Sequence, residues 1–173
     1  MTWTAFHRRG EVLRAVVETA DQRVDGELPL HVPGVAETFA DATDLLGALQ
    51  LRWHTRLAGR IERELMTQPM DLERAVVTAW HRTADEMPGV RAILDRHLDH
   101  PLDDDMARVA RTAATKEHVL LAVMAGLGGP ADAASATVGA RIEARARETY
   151  VATRDLVERP PTFLGRLKAA LAA

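Results

Sequence analysis

Three histidines, His54, His81 and His118, each fall inside a long helical segment. In a helical bundle, imidazoles from three helices can converge on one ion and leave an open position for water, as a catalytic zinc site requires. The spacing gives this reading little support. The chain has no His-x-x-x-His, no Glu-x-x-His and no His-Glu-x-x-His, the pairings that put two ligands on one helix face. His54 and His81 stand at the edges of apolar stripes, each directly after a tryptophan. A histidine in that position more often hydrogen-bonds near the surface than holds a metal. A small helical metalloenzyme built on His54, His81 and His118 is therefore an alternative reading and not the leading one.

Four other groups invite chemistry. Asp95, His97, Asp99, His100 and Asp103 to Asp105 form a dense acid–histidine cluster. It lacks the alternating oxygen ligands and turn glycine of a calcium loop, and it reads better as one helix end followed by the capped start of the next. Gly126-Leu-Gly-Gly129-Pro130 is glycine-rich, but no strand precedes it. It reads as a helix C-cap and not as a phosphate loop. Glu117 shares a helix face with Met106, Val109, Ala113 and Leu120. A carboxylate placed there is partly desolvated, so Glu117 is expected to anchor a cationic ligand, to act as a base, or to meet an arginine from a neighbouring helix. Trp53 and Trp80 lie on the apolar stripes of successive helices, where they can line a pocket for a flat or apolar ligand or fill the core.

These residues need elements to position them. Pro29, Pro33, Pro69, Pro88, Pro101, Pro130 and Pro160-Pro161 fall between periodic segments, and no window alternates as a strand does. The spacing predicts helices over 4–22, 43–67, 71–86, 88–98, 104–127, 131–158 and 162–172, with one short helix near Val35. The fold class is all-α, a single domain of 1–173 built as a bundle of six to eight helices. The segment from Val119 is apolar all round, which predicts a central buried helix. The helix at 131–158 carries the narrow stripe Ala134, Val138, Ile142, Ala146 and Tyr150, which predicts an outer position or a contact with a second subunit.

Composition narrows the function classes. The chain of 173 residues is long enough for a substantial core, yet it holds three Trp, three Phe and one Tyr, so aliphatic residues and alanine must build that core. Without cysteine there are no disulfides, thiolate metal sites or cysteine nucleophiles. A net charge of −3 and four Arg against six acids in residues 1–40 argue against a nucleic-acid face. The more basic stretch 141–168 reads as a solvated helix face. No apolar run reaches the length of a membrane span, and the N-terminus carries no signal-like run, so a cytoplasmic protein is expected.

The segment Phe39 to His97 resembles the TetR family of transcriptional regulators. Phe39, a short turn and Leu45-Leu46 keep the spacing that opens the fourth helix of that family. Ala48-Leu-Gln-Leu-Arg-Trp-His-Thr-Arg-Leu is similar to that helix, Ala79 to Leu94 to the fifth and sixth, and Arg8 to Glu18 to the first. The resemblance implies a helical ligand-binding half over 43–173, with residues 1–42 as a shortened, eroded helix-turn-helix. It implies a homodimer through helices 131–158 and 162–172. The gap between Val12-Leu13 and Leu45-Leu46 is shorter than the family pattern, and Ala42 stands where the family commonly has lysine, so DNA binding is not expected of this head. The leading reading is a non-enzymatic ligand-binding protein that takes a small apolar or aromatic ligand at Trp53, His54, Trp80, His81 and Glu117, with no metal or other cofactor. A functional DNA-binding regulator is the second alternative.

Overall fold

A computed structural model describes residues 3–152, with side chains from residue 7 onward. The predicted helix 162–172, and the end of the one predicted over 131–158, lie outside the described residues. Within them the chain is all-helical: α1 (Trp3–Arg23), α2 (Val35–Thr38), α3 (Ala42–Thr67), α4 (Leu72–Glu86), α5 (Pro88–Asp99), α6 (Asp104–Met124) and α7 (Ser135–Thr149). The bundle predicted from the sequence is thus the observed architecture.

Aspartates start three of these helices. The carboxylates of Asp41, Asp71 and Asp103 accept hydrogen bonds from the backbone N–H of Asp44, Arg74 and Met106 at 2.7, 3.0 and 2.7 Å. Each satisfies a donor that the first turn leaves without an intrahelical partner. The acidic run at 103–105 is therefore a cap and first turn, and His97 is buried with Nδ1–H donating to Ile93 O at 2.9 Å. The start of α5 is capped from elsewhere. Pro88 opens it, and Asp21 at the end of α1 accepts from Gly89 N–H at 2.8 Å.

The end of α6 comes one turn earlier than the apolar run suggests. Gly126 takes φ 69°, Leu127 N–H donates to Ala122 O at 2.9 Å and Gly126 N–H to Val123 O at 3.0 Å. This pair of bonds is a Schellman closure, and glycine is the residue that reaches its left-handed position without strain. The core runs along α3, where Leu45, Leu46, Leu49, Trp53, Leu57 and Ile61 are all buried. Val119, Leu120, Val123 and Met124 of α6 are only half-buried, so α3 and not the end of α6 is the central helix.

Two helix crossings depend on glycine. A Cβ on Gly89 would lie 1.9 Å from Ala20 O, and one on Gly139 would lie 1.8 Å from His118 O. The backbones of α5 and α1, and of α7 and α6, therefore touch. The second contact turns the stripe of α7 inward. Ile142 and Ala146 are buried against the helices of their own chain, while Thr137, Arg141, Ala144 and Glu148 are exposed.

The Phe39 turn has a defined structural part. Arg9 of α1 lies 4.4 Å over the Phe39 ring, donates to Thr38 O at 3.0 Å and pairs with Asp44 at 2.8 Å. This guanidinium holds the Asp44 carboxyl below the usual carboxylate range. The segment before it holds one long helix, an irregular stretch of bends and turns over 24–34 and the four-residue α2. Residues 23–42 contain no helix long enough to lie along a DNA groove.

Candidate functional site

Helices α3, α5 and α6 diverge around a cleft of about 360 Å³. Its walls are aliphatic: Leu51 from α3, Leu94 and Leu98 from α5, and Val109, Ala110 and Ala113 from α6. Gln50, His54, Arg108 and Lys116 supply polar groups around them, and Leu51 at the mouth is 68% exposed. The deep end is formed by Trp53 and Glu117, only 1% and 7% exposed, with Arg91 beside them.

The polar atoms at that deep end are incompletely matched. The Arg91 guanidinium lies 4.8 Å over the Trp53 ring. Its Nη2 pairs with Asp95 at 2.7 Å, which directs Nη1 toward Glu117 Oε1 at 3.6 Å, a charge contact too long for a hydrogen bond. Trp53 Nε1, Arg91 Nε and Nη1, and Glu117 Oε1 are all buried without a hydrogen-bond partner among the described residues. Native proteins leave few such groups. Here four of the six such atoms in the described part of the chain belong to residues that line one cleft.

Behind this end lies a fully paired charge network. Asp95 also receives Arg147 through two bonds of 2.7 and 3.0 Å, and Arg147 reaches Glu143 at 2.7 Å. Glu143 in turn accepts from His118 Nε2–H at 2.6 Å. Burial alone would raise the Glu143 carboxyl, but the His118 hydrogen bond and the positive charges of Arg147 and Arg91 outweigh it and hold the group at about 2. Burial likewise works against the Arg147 charge, yet Asp95 and Glu143 make this guanidinium hold its proton more tightly than an ordinary arginine. The contrast is clear: Glu143 is satisfied on both oxygens and Glu117 is not.

Of the five predicted ligand residues, the cleft gathers Trp53, His54 and Glu117. Trp80 is buried behind Trp53, edge to face with ring centroids 6.0 Å apart, and borders a second cleft with Arg147 and Tyr150. His81 is tied to α7, its Nε2–H donating to Ala146 O at 2.8 Å, and does not line the first cleft. Both tryptophans sit on stripes that face each other, so their rings pack together and only one meets the open space. Of the three histidines of the metal alternative, His81 and His118 are engaged by Ala146 O and Glu143, and only His54 lines the first cleft. Among the described residues no group of three or more His, Asp and Glu could hold a metal ion.

Sequence reasoning missed Arg91 and Glu143. The Arg91–Asp95 pair is visible at i,i+4, but nothing local shows that the guanidinium crosses onto Trp53. Glu143 carries a signal only in its i,i+4 pairing with Arg147. The lining contains no serine, cysteine or tyrosine. What the arrangement offers is an apolar slot closed by donors and one acceptor.

Comparison of the chain with protein-family models, with characterised proteins and with solved structures finds no match. No helix among the described residues is long and apolar enough to cross a membrane.

Proposed function

We propose that this protein is a non-enzymatic binder of small amphipathic molecules and that the cleft between α3, α5 and α6 is its ligand site. The observation that carries the reading is the coincidence of an aliphatic cleft of ligand size with four unmatched, buried polar atoms on residues that line it. Ligand pockets have this composition, mostly apolar with a few convergent polar groups. The resemblance of Phe39–His97 to the regulatory half of TetR proteins belongs to the same proposal. It is supported by the cleft's position, since α3 and α5 fall within that segment. A ligand that wedges these helices would shift their packing against α6, the form of response open to a bundle of this kind. DNA contact is not part of the proposal.

A fragment screen by thermal shift tests this reading. Ala113→Phe fills the cleft from α6. Fragments that raise the melting temperature of the wild type are expected to lose that effect in Ala113→Phe. Stabilisation that persists in the filled variant would overturn the assignment.

A further inference from the structure

Trp53 Nε1 and Arg91 Nε and Nη1 offer hydrogens, while Glu117 Oε1 offers a lone pair. A ligand group that completes this set must both accept and donate. Charge narrows the choice further. Arg91 already stands between Asp95 and Glu117, so any group that arrives there meets a cation and a carboxylate together. An additional ion in this buried place is attracted by one neighbour and repelled by the other, and the attraction does not repay its desolvation. A carboxylate would be welcomed by Arg91 and Trp53 but repelled by Glu117, and an ammonium the reverse.

We infer that the cleft selects a neutral amphiphile, an alkyl or aryl body carrying a hydroxyl or carboxamide head. The head accepts from Trp53 Nε1–H or Arg91 Nη1–H and donates to Glu117 Oε1. The body lies along Leu94, Leu98, Val109 and Ala113 toward the open mouth at Leu51. This rests on the proposal that the cleft is the ligand site and adds the chemistry of what enters it. Glu117 is then a specificity-determining residue: it rejects anions and demands a donor.

The test is a matched series of one chain length: octanamide, octanol, octanenitrile, octanoate and octylammonium, titrated at neutral pH into the wild-type protein. The Trp53 indole N–H resonance, assigned by its loss in Trp53→Phe, reports the site. Octanamide and octanol are expected to move that resonance and to bind at least about ten-fold tighter than octanoate, octylammonium and octanenitrile, which lacks the donor. In Glu117→Gln the repulsion of anions is gone, and octanoate should gain about ten-fold relative to octanamide. If the resonance moves but either ion binds as tightly as octanamide to the wild type, the inferred ligand class is wrong while the cleft remains the site. If no member of the series moves the resonance, both the ligand class and the site fall.

Discussion

Replacing Gly139 by alanine adds one methyl group at the closest approach of α6 and α7. The new Cβ would lie 1.8 Å from His118 O and 2.4 Å from His118 C, against an ordinary contact of 3.4 Å or more. Both neighbours are backbone, so no side chain can swing aside. The helices must part by more than about 1 Å, which loosens the packing of Ile142 and Ala146. Overpacking of this kind costs about 1–3 kcal/mol, and a rigid backbone obstacle puts the cost at the upper end. Against it, alanine is favoured over glycine in a helix by up to about 1 kcal/mol. The net expectation is a loss of roughly 2 kcal/mol, or a melting temperature lower by about 4–8 °C in a chain of this size. Gly59→Ala is the control. It is the same change in the middle of α3, where a Cβ meets no heavy atom within 4 Å, and it should stabilise by about 0.5–1 kcal/mol. Calorimetry of both variants reads the two signs. A Gly139→Ala protein as stable as the wild type, beside a stabilised Gly59→Ala, would refute the close crossing.

Gly89→Ala should behave as Gly139→Ala does, with a loss of about 2 kcal/mol in urea unfolding, because its Cβ would lie 1.9 Å from Ala20 O; Gly10→Ala, with open space around it, should not. Glu143 should make stability depend on pH in acid. Its carboxyl titrates near 4.5 when unfolded and at about 2 when folded, so its contribution is complete above pH 4.5 and drains away as pH falls from there toward 2. That contribution is at most about 3 kcal/mol. Urea midpoints of wild type and Glu143→Gln should converge over that window, and a difference that stays constant with pH would contradict the pairing. Arg91→Met should cost about 3 kcal/mol because it leaves Glu117 buried without its cation, and Arg91→Met with Glu117→Met should recover most of the loss. A double variant as unstable as the sum of the two singles would show that the pair is not coupled.

The helices are legible in the sequence because their punctuation is chemical and local. Asp41, Asp71 and Asp103 cap, Pro88 starts and Gly126 stops, and each acts within one turn of its own position. The stripe of α3 puts Trp53 inside, and that of α6 puts Glu117 beside it. Both features follow from a period of 3.6 residues. What periodicity does not carry is which two stripes meet. Trp80 lies on a stripe as good as that of Trp53, but the two face each other, and so Trp80 packs edge to face against Trp53 and does not line the cleft. Arg91 shares a face of α5 with Leu94 and Leu98, but nothing local to it shows that its guanidinium lies over the Trp53 ring. The inward turn of α7 depends on a bare glycine at 139, whose backbone is a contact surface against α6.

The claim on which the account turns is that the space between α3, α5 and α6 takes a ligand. The most direct measurement is to map a hit from the fragment screen onto the backbone and indole resonances of the isotopically labelled protein. The account predicts the largest shifts at the Trp53 indole, the Gln50 side-chain amide and the backbone of Ala113, with His81 and the exposed face of α7 unmoved. Shifts centred on Trp80 and Tyr150, or scattered over the surface, would contradict it.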